Sequence, residues 1–245
     1  MINIEVCVDN LESILNAELA GVQRLELCSA LSAEGLTPSH SLVGFAKKNS
    51  SCSLQAMIRL RSGDFYYNQS EQKAMLEDLS LLEKIGIDGF VIGALDQHNN
   101  IDEKFLAPFL NFASKKKLEI TFHRAIDLTT DYFDALQRLC NLGFTRVLTS
   151  GHQANVEAGI ENIKSIQKQF GDNIQIMPGG GITPENIKRV IQKSDVKHIH
   201  CSAGQNILRM SGEALDVFGE KALSFKVTDI NRLKQIVKQV KEYAK

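Results

Sequence analysis

Two short segments near the start of this chain, Glu5-Val6-Cys7 and Glu26-Leu27-Cys28, each place a carboxylate and a thiol two residues apart. Side chains on a strand alternate with a period of two, so within each segment the acid and the thiol share one face. If the strands are parallel neighbours, the thiols of Cys7 and Cys28 can meet, and the chemistry on offer is a paired-sulfur site among charged groups. That suits metal binding or redox work, although no CxxC motif points to a zinc ribbon or a dithiol oxidoreductase. Cys52, Cys140 and Cys201 read as small buried hydrophobes.

A second set of residues offers acid-base and anion-binding chemistry. Glu5, Glu26, Arg59, Arg61, His123 and His200 all fall near the ends of apolar runs, and burying that many ionisable groups is costly unless they are used or paired. His123 or Glu26 is a candidate general acid or base, Arg59 and Arg61 are candidates for an anionic substrate group, and Asp127 could orient a neighbouring base. The competing reading is an ion-pair layer inside the fold. A third set is glycine-rich: Met177-Pro178-Gly179-Gly180-Gly181 and Ser202-Ala203-Gly204. Gly179, Gly180, Gly181 and Ser202 could bind phosphate through exposed backbone N–H groups, or serve only as tight turns. The period of two puts His198 and His200 on one face of their strand, with Ile199 and Cys201 on the other.

These residues need a scaffold that gathers strand ends. Short β-branched runs cover 3–8, 23–28, 54–60, 89–93, 118–123, 145–150, 174–178 and 197–201, and each is followed by a helical stretch. The helices are expected over 10–20, 38–49, 70–85, 101–116, 131–142, 154–170, 184–193 and 229–243. Thr183-Pro184-Glu185 reads as a helix start, and Gly21, Gly86 and Gly143 as left-handed helix stops. Eight strand-helix units over residues 1–245, without a linker to divide them, predict a single (β/α)8 barrel closed by the last helix. A doubly wound open sheet fits the alternation less well, because Cys7-Val8-Asp9-Asn10 lacks the glycines of a dinucleotide loop.

Composition narrows the partners. The 245 residues are 43% hydrophobic and 23% charged with a net charge of −1, which gives no bulk attraction to nucleic acid or anionic membranes. Five cysteines without regular spacing predict reduced thiols, and Met1-Ile2-Asn3 runs into a strand with no leader, so a cytoplasmic protein is expected. A metal ion or small anionic metabolite is the expected partner.

The strings LELCSALSAEGLTPS (residues 25–39), MIRLRSGDF (57–65), TFHRAID (121–127), RVLTSG (146–151) and MPGGGI (177–182), with IEVC at the start, resemble the copper homeostasis family CutC. The resemblance runs over nearly the whole chain, with its motifs in order at successive strand ends. It implies a cytoplasmic (β/α)8 barrel associated with copper, and a small homo-oligomer. Thiolate and thioether sulfurs suit Cu(I), so Cys7 and Cys28 become the expected ligands, with Met57 nearby. The chain departs from the family's Gly-Gly-Leu-Thr-Pro-Ser at Glu34, and from its Arg-Pro-Arg-Gly-Gly-Asp-Phe at Leu60 and Ser62. If the first of those glycines has positive φ, Glu34 must adopt a strained backbone or bend the loop differently.

Overall fold

The fold is described from a computed structural model covering residues 2–211, 216–217 and 219–243. Eight parallel strands, β1 (Asn3–Val8), β2 (Arg24–Leu27), β3 (Ser53–Met57), β4 (Gly89–Ile92), β5 (Glu119–Phe122), β6 (Arg146–Thr149), β7 (Gln175–Pro178) and β8 (His198–Cys201), form one sheet ordered 7-6-5-4-3-2-1-8. The ends of that sheet, β7 and β8, lie against each other, so it nearly closes into the expected barrel. Around it run α1 (Leu11–Ala20), α2 (His40–Asn49), α3 (Gln69–Ile85), α4 (Glu103–Lys116), α5 (Tyr132–Asn141), α6 (Ile160–Phe170), α7 (Ile187–Ser194) and α8 (Ile230–Tyr243).

Strand alternation divides the molecule into two chemically different regions. Ile4, Val6, Leu25, Leu27, Leu54, Ala56, Phe90, Ile92, Ile120, Phe122 and Ile199 join the helices in one continuous apolar core. Cys28, Met57 and Val91 form a separate small cluster on the opposite, inner face. Beside Leu148 and Met177, the rest of the inside is largely polar: Glu5, Arg24, Glu26, Gln55, Thr121, Arg146 and His200 are all buried. Burial of this kind requires partners. Arg146 donates to Gln175 at 3.0 Å, Thr121 at 2.9 Å and Glu119 at 3.0 Å, while Arg24 donates to Glu5 and to the sulfur of Met177. The interior ion-pair layer is therefore real, and it fills the barrel beneath the strand ends.

Local signals set most helix ends. Asn10, Ser39, Asn68, Asp102 and Asp131 accept hydrogen bonds from first-turn N–H groups, and Asn68 forms a reciprocal capping box with Glu71. Gly21, Gly86 and Gly143 have φ of 75°, 101° and 79°, as helix stops require. Two helix starts fall three or more residues later than expected. α6 begins at Ile160 rather than 154 because Gly151 and Gly159 pack backbone to backbone; a Cβ on Gly159 would stand 1.8 Å from the Ser150 carbonyl oxygen. Thr183 starts the turn that leads into α7, accepting from Glu185 N–H at 3.2 Å, but the regular helix begins only at Ile187.

The segment before α8 holds an unexpected antiparallel hairpin, β9 (Gly204–Leu208) with β10 (Ser224–Thr228). It is fastened to α1 and the turn before it by Asn10 Nδ2 on Lys226 O and Asn16 Nδ2 on Thr228 O, both 2.9 Å. The last helix docks as expected, burying Leu233, Ile236, Val237 and Val240 against α1 and α7. Among the described residues, no helix is long and apolar enough to cross a membrane.

Candidate functional site

A cavity of about 550 Å³ opens at the carboxyl ends of the strands, a size suited to a small ligand. Its wall on one side is built by β1, β2 and β8. The parallel register sets Cys7 opposite Glu26, and Glu5 opposite both Arg24 and His200. The sulfur of Cys7, a carboxylate oxygen of Glu26 and a ring nitrogen of His200 all lie within 4.8 Å of one another. Cys28 sits one pleat further along β2, so the thiol that the sequence pairs with Cys7 is displaced from it by register. Its sulfur is covered by the loop at Gly35, where a Cβ would come within 3.3 Å, and it packs with Met57.

Charge in this cluster is controlled by neighbours. His200 Nδ1 is 2.8 Å from Glu5 Oε1, and its Nε2 is 3.7 Å from Glu26 Oε2. Burial opposes a charge on His200, but the Cys7 sulfur, the Glu26 carboxylate and the hydrogen bond to Glu5 outweigh it and hold the imidazole well above its ordinary value. Burial likewise opposes ionisation of Glu5, yet Arg24 and His200 keep it well below the carboxylate range. Glu26 lacks an arginine at hydrogen-bond distance. Burial pushes it up to about 7, and its Oε1 has no hydrogen-bond partner among the described residues. Burial, then the charges of Glu26 and Cys7, hold the Cys28 thiol well above its ordinary range.

Across the cavity stand the groups from β5 and β7. His123 is buried and accepts a hydrogen bond at Nδ1 from Ala125 N–H at 3.1 Å, which leaves the proton of the neutral ring on Nε2. That Nε2 has no partner among the described residues. Burial and then the charge of Arg59 lower His123 to about 3, so the ring stays neutral. It sits against Phe65 with ring centroids 4.7 Å apart, and Gly93 makes room for it. A Cβ on Gly93 would stand 2.2 Å from His123 Cε1. Gly93→Ala is expected to destabilise the fold by about 1–3 kcal/mol through overpacking, read as a lower urea midpoint.

The other candidates have different tasks. Arg59 is buried, but it donates to the carbonyls of Ala33 (2.9 Å), Gly35 (3.1 Å) and Gly63 (2.9 Å) and lies over the Phe65 ring. These bonds tie two loops together, while Arg59 still lines the cavity and its Nε has no hydrogen-bond partner among the described residues. Arg61 is not in the cavity: it points outward to Glu71 at 2.6 Å and Asp64 at 3.0 Å, because period two fails once the chain leaves β3 at Met57. Asp127 does not orient a histidine base. It accepts from Ser150 N–H at 2.9 Å, His152 N–H at 3.0 Å, Thr149 Oγ1 and Arg124 Nε at 3.0 Å, and so anchors the loop after β6. Glu34, at the cavity edge, does take the left-handed backbone, with φ of 66°.

Gly180, Gly181 and Ser202 line the cavity, and Gly179 lies beside His200. Sequence reasoning missed Arg124 and the hairpin residues Lys226 to Thr228, which complete the rim. Arg124 follows His123 directly and was legible as a charged residue at a strand end. The hairpin carried no comparable signal, since its strands pair across 15 intervening residues.

Comparison with known proteins agrees with this architecture. The CutC family model matches residues 2–205. A human copper homeostasis protein cutC homolog is 38% identical over 239 residues, covering 95% of this chain and 87% of its own. A Glaesserella parasuis family protein CutC is 38% identical, covering 97% and 98%. The crystal structure of a Streptococcus agalactiae chain named for CutC superposes with a TM-score of 0.76 at 33% identity, covering 82% of this chain and 98% of that one. Phosphoribosylanthranilate isomerase from Thermotoga maritima, at 11% identity and a TM-score of 0.60 over 99% of this chain and 100% of its own, shares the barrel fold alone.

Proposed function

This chain belongs to the CutC family of (β/α)8 barrels associated with copper homeostasis, and from that premise we propose that it binds copper as Cu(I) in the cytosol, at the Cys7–His200–Glu26 cluster. The carrying observation is the convergence of three ligand-type atoms within 4.8 Å from three adjacent strands. Sulfur and imidazole nitrogen are donors that copper accepts. Glu5, bonded to His200 Nδ1, fixes the ring so that Nε2 faces Glu26, the carboxylate–histidine arrangement common behind metal ligands. The unpartnered Glu26 Oε1 supplies negative charge where a cation would sit. Cys28 and Met57 place two further sulfurs behind the cluster, and Cys28 remains the auxiliary ligand of this reading.

Proton release tests the proposal. His200, held above its ordinary value, carries a proton that a metal must displace, and Glu26 near 7 is part-protonated at neutral pH. Cu(I) affinity, measured against a competing chelator, is expected to rise with pH by roughly tenfold per unit for each proton displaced. Affinity that is flat between pH 6 and pH 8 (about the range where Glu26 titrates), or that falls, would remove these residues from the site.

A further inference from the structure

The cavity is larger than an ion needs, and its far wall is built of hydrogen-bond donors. Gly180 and Gly181 turn through φ of 84° and 100°, and among the described residues the N–H groups of Gly180, Gly181 and Ile182 donate to no protein acceptor. Three successive unpaired backbone donors on residues that line a cavity are the raw material of an anion-binding turn. Arg124 is laid along this turn: a Cβ on Gly180 would stand 3.2 Å from its Cζ and its Nη1. Its Nε is held by Asp127 at 3.0 Å and its Nη2 by Ser150 at 2.8 Å, which leaves Nη1 as the donor without an acceptor among the described residues. His123, 4% exposed, lines the same cavity with its ring, and its Nε2, itself a buried atom, has no acceptor among the described residues.

We propose that this chain binds a small organic anion whose phosphate or carboxylate end is held by the Gly180–Ile182 turn and Arg124, with its body packed beside the His123 ring. Arg124 and the turn provide the charge-assisted donors that such an end group requires. The body of the ligand then lies toward Cys7, Glu26 and His200, since the turn adjoins that wall: a Cβ on Gly179 would be 3.3 Å from His200 Cβ. The ligand is a metabolite-sized molecule, matched to a volume of about 550 Å³. This site stands on residues other than the proposed copper ligands.

Inorganic phosphate and malonate serve as probes of the full-length protein. Saturable binding of either one supports the proposal, and which one binds identifies the end group. Arg124→Gln is expected to weaken that binding by roughly tenfold or more, while Lys188→Gln, an exposed position on α7, leaves it unchanged. Amide chemical shifts provide a reading that does not depend on any variant folding: the Gly180, Gly181 and Ile182 N–H signals should move with probe concentration. Binding by neither probe, equal binding by wild type and a folded Arg124→Gln, or shifts confined to other residues would overturn the site.

Discussion

Replacing Cys7 by serine will weaken Cu(I) binding by roughly a hundredfold or more, whereas Cys28→Ser will weaken it by about tenfold or less. The asymmetry comes from register. Cys7 faces Glu26 across the β1–β2 ladder and lines the cavity with His200, so its sulfur has a nitrogen and an oxygen donor at hand. Cys28 is buried under the Gly35 loop, and both burial and the neighbouring negative charges keep its thiol protonated. A thiol must lose its proton to ligate, so Cys28 begins at a disadvantage. The check is a chelator competition on wild type and both single variants. Equal losses for the two would restore the symmetric sulfur pair, and no loss for Cys7→Ser would end the copper reading.

Glu5→Leu will lower the unfolding free energy by about 3–5 kcal/mol, because it strands Arg24 and His200 without their carboxylate inside the barrel. Glu5 is fully buried, and among the described residues Arg24 has as its other hydrogen-bond partner only the Met177 sulfur at 3.3 Å. Truncating one member of such a pair costs far more than the pair contributes over an apolar substitute. The double variant Glu5→Leu/Arg24→Met should therefore recover a large part of the loss. Urea unfolding of both variants measures this. A Glu5→Leu loss below about 1 kcal/mol would show that solvent reaches the inner layer and screens it.

Much of the architecture was legible because it rests on local periodicity. Apolar Ile4, Val6 and Val8 alternate with Glu5 and Cys7, and the outer residues do join the helical core while the inner ones face the barrel. The same rule correctly turned His200 inward with its strand partner Ile199 outward. It failed where the strand had already ended: Arg61 lies four residues beyond Met57, and there loop contacts with Glu71 and Asp64 decide direction. Arg59 is inward and buried as expected, yet its donors go to three backbone carbonyls of loops whose path no short-range pattern specifies. Glu34 shows the reverse case, since its positive φ followed from comparing one residue type with the glycine expected there.

Residue order thus determined which face each strand side chain takes, where most helices start and stop, and that eight strand-helix units alternate along the chain, since these depend on backbone geometry over a few residues. Only the tertiary structure decided which inner groups meet. The stagger between β1 and β2 set Cys7 against Glu26 and left Cys28 one pleat away, and the parallel pairing of β8 with β1 brought His200 to both. Stagger is fixed by packing the whole ring of strands and helices at once, so two identical Glu-x-Cys patterns came to occupy different chemical surroundings.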